Sequence, residues 1–155
     1  MSGLEIAVKM LAHGKGMALP DFQSAGCSGV DLMAALQAPV FLQPGKIVLI
    51  PTGIGVSLPN GYEFQVRPRS GLALRHGIAV LNAPGTIDAD YRGEIQVILA
   101  NFGEIQFEIT RGMRIAQMVL ARVECFQWRR VEALEESARG AGGFGHTGVD
   151  SSSEE

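Results

Sequence analysis

The stretch EIQVILANFGEIQFEI, Glu94 to Ile109, decides the fold class. Its second half, Glu104-Ile105-Gln106-Phe107-Glu108-Ile109, alternates strictly between polar and apolar residues, as a strand with one solvated face does. The first half, Glu94 to Leu99, does nearly the same, and Asn101-Phe102-Gly103 between them has turn chemistry. The pattern predicts a β-hairpin. Outward from it, Leu58-Pro59-Asn60-Gly61 is a turn signal leading into another alternating run, Tyr62 to Val66. Lys46 to Ile50 and Ile115 to Leu120 read as more buried strands.

Twenty glycines and seven prolines punctuate these short runs, the mark of an all-β domain. One short helix is predicted from Ser70 to His76, with Ser70 capping its start and Gly77 stopping it. After Trp128 the chain turns charged (RRVEALEES), then glycine-rich (RGAGGFGHTG, Arg139 to Gly148), then acidic (VDSSSEE). The expected organisation is a β-domain over residues 1–134 and a flexible C-terminal arm over 135–155.

At 155 residues, 46% of them hydrophobic, the chain has the size and apolar content of one ordinary domain. Its apolar runs are too short or too charged to span a bilayer, and the start, MSGLEIAVKMLAHGKG, reads as neither signal nor transit peptide. Cys27 and Cys125 make neither a disulfide framework nor a metal spacing, so a reduced, cytoplasmic pair is expected. A formal charge of −3 argues against general nucleic-acid binding, and no membrane partner is expected either. Any bound anion must be met by local arginines.

Five segments carry candidate chemistry. RPRSGLA, Arg67 to Ala73, combines arginine, serine and glycine at a helix start, the parts of an anion site or of an ordinary solvated turn. NAPGTIDADYRGEI, Asn82 to Ile95, carries Asp88 and Tyr91 on a tight loop. Acidic residues are common in turns, but a carboxylate facing bound water also serves as a general base. SGVDL offers Asp31, and RIAQMVL offers Gln117, a lone amide in an apolar strand. In isolation each reads as structural. His13 and His76 have no partners at metal spacing and receive no role. The last segment, RGAGGFGHTG, puts Arg139, Phe144, His146 and Thr147 among five glycines. Such a chain is costly to order, so an aromatic ring there suggests a lid rather than a solubilising tail.

In this order and at these separations, SGVDL, PRSG, GTIDADYRG, RIAQ and RGAGGFGHTG resemble the five motifs of the trimeric dUTPases. The resemblance runs from about Leu19 to Gly148. It implies a jelly-roll-like, distorted β-barrel and a homotrimer with active sites shared between subunits. The implied reaction is dUTP plus water giving dUMP and pyrophosphate, with Mg²⁺ on the triphosphate, which limits uracil in DNA and supplies thymidylate synthesis. By the same resemblance, Asp88 activates the attacking water. Asn82 reads the uracil edge, and Tyr91 lies under the sugar and excludes a 2′-hydroxyl. Arg69, Ser70, Gly71 and Gln117 hold phosphates, and Asp31 approaches the metal through its waters. Phe144 stacks on uracil, while Arg139 and Thr147, with glycine N–H groups, clamp the triphosphate; the His146 imidazole is expected to donate to a phosphate oxygen as well. His146 stands where the family usually has serine. A dCTP deaminase shares the fold, but Asp88, Tyr91 and the GGFG arm point to the hydrolase.

Overall fold

Ile95, Val97, Leu99 and Asn101 alternate inward from the chain, and all four are wholly buried. That burial, with Leu32, Ile50, Ile78, Ile109 and Ile115, makes one apolar core between antiparallel sheets. The structure is a computed structural model and describes residues 4–143. Its body, Met1–Cys125, holds eleven strands, one short α-helix and one 3-10 turn, Ala12–Gly14, among the described residues. They are β1 (Ala7–Met10), β2 (Val30–Met33), β3 (Val40–Leu42), β4 (Ile47–Pro51), β5 (Ile54–Ser57), β6 (Tyr62–Arg67), α1 (Ser70–His76), β7 (Ile78–Val80), β8 (Gly85–Ile87), β9 (Gln96–Asn101), β10 (Phe107–Ile109) and β11 (Arg114–Arg122).

The strands pair as a four-stranded sheet β2-β11-β6-β8, a three-stranded sheet β4-β9-β7, and the pairs β1-β5 and β3-β10. Every pairing is antiparallel, which leaves one face of each sheet for the core and one for the outside. The architecture is all-β and jelly-roll-like, as expected. The strand after Leu58–Gly61, the helix over 70–76 and the long strand ending the body all stand where the sequence pattern puts them. Gly77 closes α1 in the left-handed region at φ 66, where a side chain would be strained and would also strike Gly103.

Three local expectations are corrected. The Asn101-Phe102-Gly103 segment does not close a hairpin, because β9 pairs with β4 and β7 while β10 pairs with β3. The reason is Asn101. Its buried amide donates to Leu42 O and Ile105 O and accepts from Gly103 N–H, each at 2.9 Å. Three bonds at one side chain turn the chain out of one sheet and into another. Gly103 to Ile105 are consequently bends, and Ile105 is 80% exposed despite its alternating neighbours.

Ser70 does not cap α1. It is the first helical residue, and the cap position is Arg69, with extended backbone and no capping side-chain bond. Arg69 is committed elsewhere. The strand at Lys46–Ile50 is only half buried: Ile50 faces the core, while Ile47 and Leu49 are 59% and 52% exposed. Among the described residues, no helix is long and apolar enough to cross a membrane.

The second unit begins at Phe126 and is described to residue 143. It has turns but neither strand nor helix among those residues. Phe126 and Trp128 pack edge to face at 5.0 Å, and Arg139 Nε donates to Gly142 O at 2.7 Å.

Candidate active site

Asp31, Gln117 and Arg67 sit in one register row across β2, β11 and β6. On a regular strand Arg114 and Gln117, three residues apart, would face opposite ways. Here the β11 register shifts between Arg114 and Ala116, and Ile115 and Ala116 both turn inward to full burial. This bulge brings Arg114 to the same side as Gln117.

The result is a polar cavity of about 340 Å³ lined by Asp31, Arg69, Ser70, Gly71, Arg114 and Gln117. Asp31 is its hub. Arg69 Nε lies 3.1 Å from Oδ1 and Arg114 Nη1 lies 3.1 Å from Oδ2. Arg69 Nη1 also donates to Arg114 O at 3.0 Å, and Gln117 Nε2 donates to Pro68 O at 2.9 Å. Two guanidinium charges against one carboxylate leave this lining cationic. Cys27 borders it, and the Ser24 hydroxyl, 3.0 Å from Sγ, with backbone bonds from Ser24 and Gln23, holds the thiol below its usual pKa.

Asp88 and Tyr91 line a different cavity of about 240 Å³, with Glu94, Leu49 and Ile98. Tyr91 N–H donates to Asp88 O at 3.1 Å, and Arg92 Nη1 donates to Ala89 O at 2.6 Å and Tyr91 O at 2.9 Å, so the loop is tied to itself. The Tyr91 ring lies against Gly93, where an added Cβ would come 2.5 Å from Cζ, and its hydroxyl donates to Glu94 O at 2.9 Å. Asp88 is exposed. Asn82 is exposed too, with its Nδ2 against Gly85 at the start of β8.

The fold thus groups Asp31, Arg69, Ser70, Gly71 and Gln117, and separately Asp88 and Tyr91, and the two linings share no residue. Three strand steps and three residues along β6 separate the Asp31 row from Ile87, roughly 17 Å. Arg139 lies in the second unit. Phe144, His146 and Thr147 lie outside the described residues. Glu94 is the side chain that sequence reasoning missed, and Arg114, one of the chain's candidate anion-binding arginines, was not placed beside Asp31. The hint was two consecutive apolar residues in RIAQ, which alternate in no regular strand facing one core. A larger groove of about 430 Å³, lined by Leu4, Val8, Leu19 and Phe22 among others, holds no titratable side chain.

The dUTPase family model matches residues 15–148. The chain belongs to the dUTPase family. It is 57% identical, over 90% of both chains, to the deoxyuridine 5′-triphosphate nucleotidohydrolase of Rhizobium etli (strain CIAT 652). Its fold is similar to a variant dUTPase of Staphylococcus bacteriophage 80alpha with dUpNHpp, at TM-score 0.83 and 27% identity over 94% of this chain and 99% of that one. A variant dUTPase of phage phi11 of S. aureus, solved to show the coordination of a structural Mg(II) ion, shares the fold at TM-score 0.75 and 22% identity over 86% and 100%. The reaction is accordingly that of a nucleotidohydrolase, dUTP to dUMP.

Proposed function

We propose that the two cavities are halves of one dUTP site, completed where copies of the chain meet in a homotrimer. The observation that carries this is their separation: a triphosphate cradle and a base-bearing loop stand on opposite edges of one sheet. One chain alone leaves Asp88 open to solvent and Leu49 uncovered beside it. A neighbouring copy that covers this apolar face would bring its own arginine cavity to Asp88.

In the assembled site Arg69, Ser70, Gly71 and Gln117 bind the triphosphate, whose negative charge matches the cationic lining. Tyr91 supports the deoxyribose, and Asn82 with the neighbouring backbone reads the uracil edge. Asp88 takes a proton from water, the resulting hydroxide adds to the α-phosphorus, and the bond to the bridging oxygen breaks with pyrophosphate as leaving group. The arm, through Arg139, Phe144, His146 and Thr147, closes over the nucleotide and excludes bulk water, which strengthens these electrostatic contacts.

Among the described residues, no cluster of three or more His, Cys, Asp or Glu is placed to hold a metal. Both Asp31 oxygens face arginines, and among the described residues Asp31 is the only carboxylate lining its cavity. That donor set fits hydrated Mg²⁺ carried by the phosphates, with Asp31 meeting its waters rather than the ion. Bound there, Mg²⁺ would neutralise the charge of the phosphate oxygens. The site is expected to work in the cytoplasm, as the reduced cysteine pair suggests.

The test is pyrophosphate release from dUTP, dTTP, dCTP and UTP at matched concentration with Mg²⁺. Turnover confined to dUTP supports the assignments of Asn82 and Tyr91. Equal turnover of UTP would remove Tyr91 from sugar recognition, and equal turnover of dTTP would remove the uracil-edge reading.

A further inference from the structure

Glu94 touches the candidate site with its backbone and a remote part of the chain with its side chain. Its carbonyl accepts the Tyr91 hydroxyl at 2.9 Å. Its Oε1 accepts the Gly53 N–H at 2.8 Å and lies 2.6 Å from His13 Nε2, a residue 81 positions away in sequence. Two donors on one oxygen hold that carboxylate in a single rotamer. The pair is largely sheltered, at 30% exposure for the His13 side chain and 18% for Glu94.

His13 reaches Glu94 through a contact between two glycines. Ala12–Gly14 forms a single 3-10 turn, and a Cβ on Gly14 would lie 2.6 Å from Gly53 O. Gly53 in turn has φ 73, in the left-handed region, so both positions exclude a side chain. Arg111 ties the turn down, donating to His13 O at 2.8 Å, Leu36 O at 3.1 Å and Lys15 O at 3.1 Å. Leu11 N–H donates to Gly53 O at 2.8 Å as well. The turn is therefore seated by backbone, glycine and arginine contacts, and the imidazole is left over for Glu94.

Tyr91 needs such support. Its ring rests on the Gly93 backbone, stands 42% exposed, and its hydroxyl is tied to Glu94 O. We infer that His13 is a positioning residue for sugar recognition: through Glu94 it fixes the Tyr91 ring and so sets the preference for deoxyribose over ribose. This inference rests on the reading of Tyr91 as the sugar platform.

The experiment compares kcat/KM for dUTP and UTP in the full chain, in His13→Ala and in His13→Gln, with Tm measured beside them. His13→Ala is expected to lower the dUTP-to-UTP ratio about tenfold, since small misplacements of positioning groups are costly. His13→Gln, whose amide N–H can donate to Glu94, is expected to return the ratio to within about threefold of the parent. If His13→Ala does not fold, His13→Asn, too short to reach, takes its place. Glu94→Gln should shift the ratio in the same direction, and the double variant should be no worse than His13→Ala, as for residues acting as one unit. An unchanged ratio with a lowered Tm would make the contact purely structural and overturn the inference. Effects that simply add in the double variant would overturn it too. A parent that hydrolyses UTP as well as dUTP sinks the underlying reading of Tyr91 instead.

Discussion

Asp31, Gln117 and Arg67 lie opposite one another across three hydrogen-bonded strands, whereas Asp88 and Tyr91 ride on a loop anchored at Glu94 and Ile95. The proposed phosphate half is placed by sheet register and by charges that hold each other: Arg69 and Arg114 converge on Asp31. The loop half is placed by distant supports. Ile95 N–H reaches Ile54 O at 2.8 Å, Thr52 Oγ1 reaches Ile95 O at 2.5 Å, and the Glu94 side chain reaches His13. Sites on strands are held more rigidly than sites on loops. The difference suits the two tasks we propose for them. A triphosphate needs fixed charge, while discrimination of base and sugar needs a platform whose position can be tuned from outside.

The comparison breaks most visibly at Asp88. Asp88→Asn should lower kcat by ~10²–10⁴ while dUTP still binds, read by pyrophosphate release and calorimetry. Co-assembled with an Arg69→Ala chain, it should recover activity at about a quarter of the sites, because randomly mixed subunits then pair one intact loop half with one intact phosphate half. No recovery would place both halves of a site in one chain. Next in size is Arg69→Ala alone. It removes a charged hydrogen-bond donor from the cavity and should weaken dUTP binding ~10–100-fold, measured as Kd, with a smaller salt dependence than the parent.

Gly93→Ala separates the halves from the other side. Its Cβ would lie 2.5 Å from Tyr91 Cζ, so the ring must move, and the dUTP-to-UTP ratio should fall about tenfold with phosphate affinity kept. A ratio that stays put would mean the shelf is not needed. The smallest effect is at Cys27. The Ser24 hydrogen bond lowers its pKa, so at a pH below the usual thiol range more thiolate is present. In a Cys125→Ser background, iodoacetamide should label Cys27 several-fold faster than a cysteine in an unstructured peptide, and dUTP should slow that reaction.

The elements legible from sequence are those set by neighbours along the chain. Tyr62–Arg67 follows a turn at Gly61 and alternates, and Ser70–His76 ends at a glycine whose φ of 66 only the helix end requires. Arg69, Ser70, Gly71 and Gln117 were legible as motif residues, and they meet in one cavity. Other features were hidden for physical reasons. Asn101 looks like a turn residue in a hairpin, yet its side chain satisfies three backbone groups and sends the strands to different sheets. Arg114 enters the cavity through a bulge that composition does not announce. His13 has no partner within reach along the sequence, and its role depends on two glycines, Gly14 and Gly53, meeting in space.

By itself, then, the amino-acid sequence determined the strand-rich class, the helix and its stop, the family and the residues of its motifs, because alternation, turn chemistry and motif spacing are local. Which strand pairs with which, the separation of the Asp31 cavity from the Asp88 cavity, and the contact of His13 with Glu94 were decided only in the tertiary structure. Strand pairing and burial join residues far apart in the chain, and the core selects among partners that local pattern leaves equivalent.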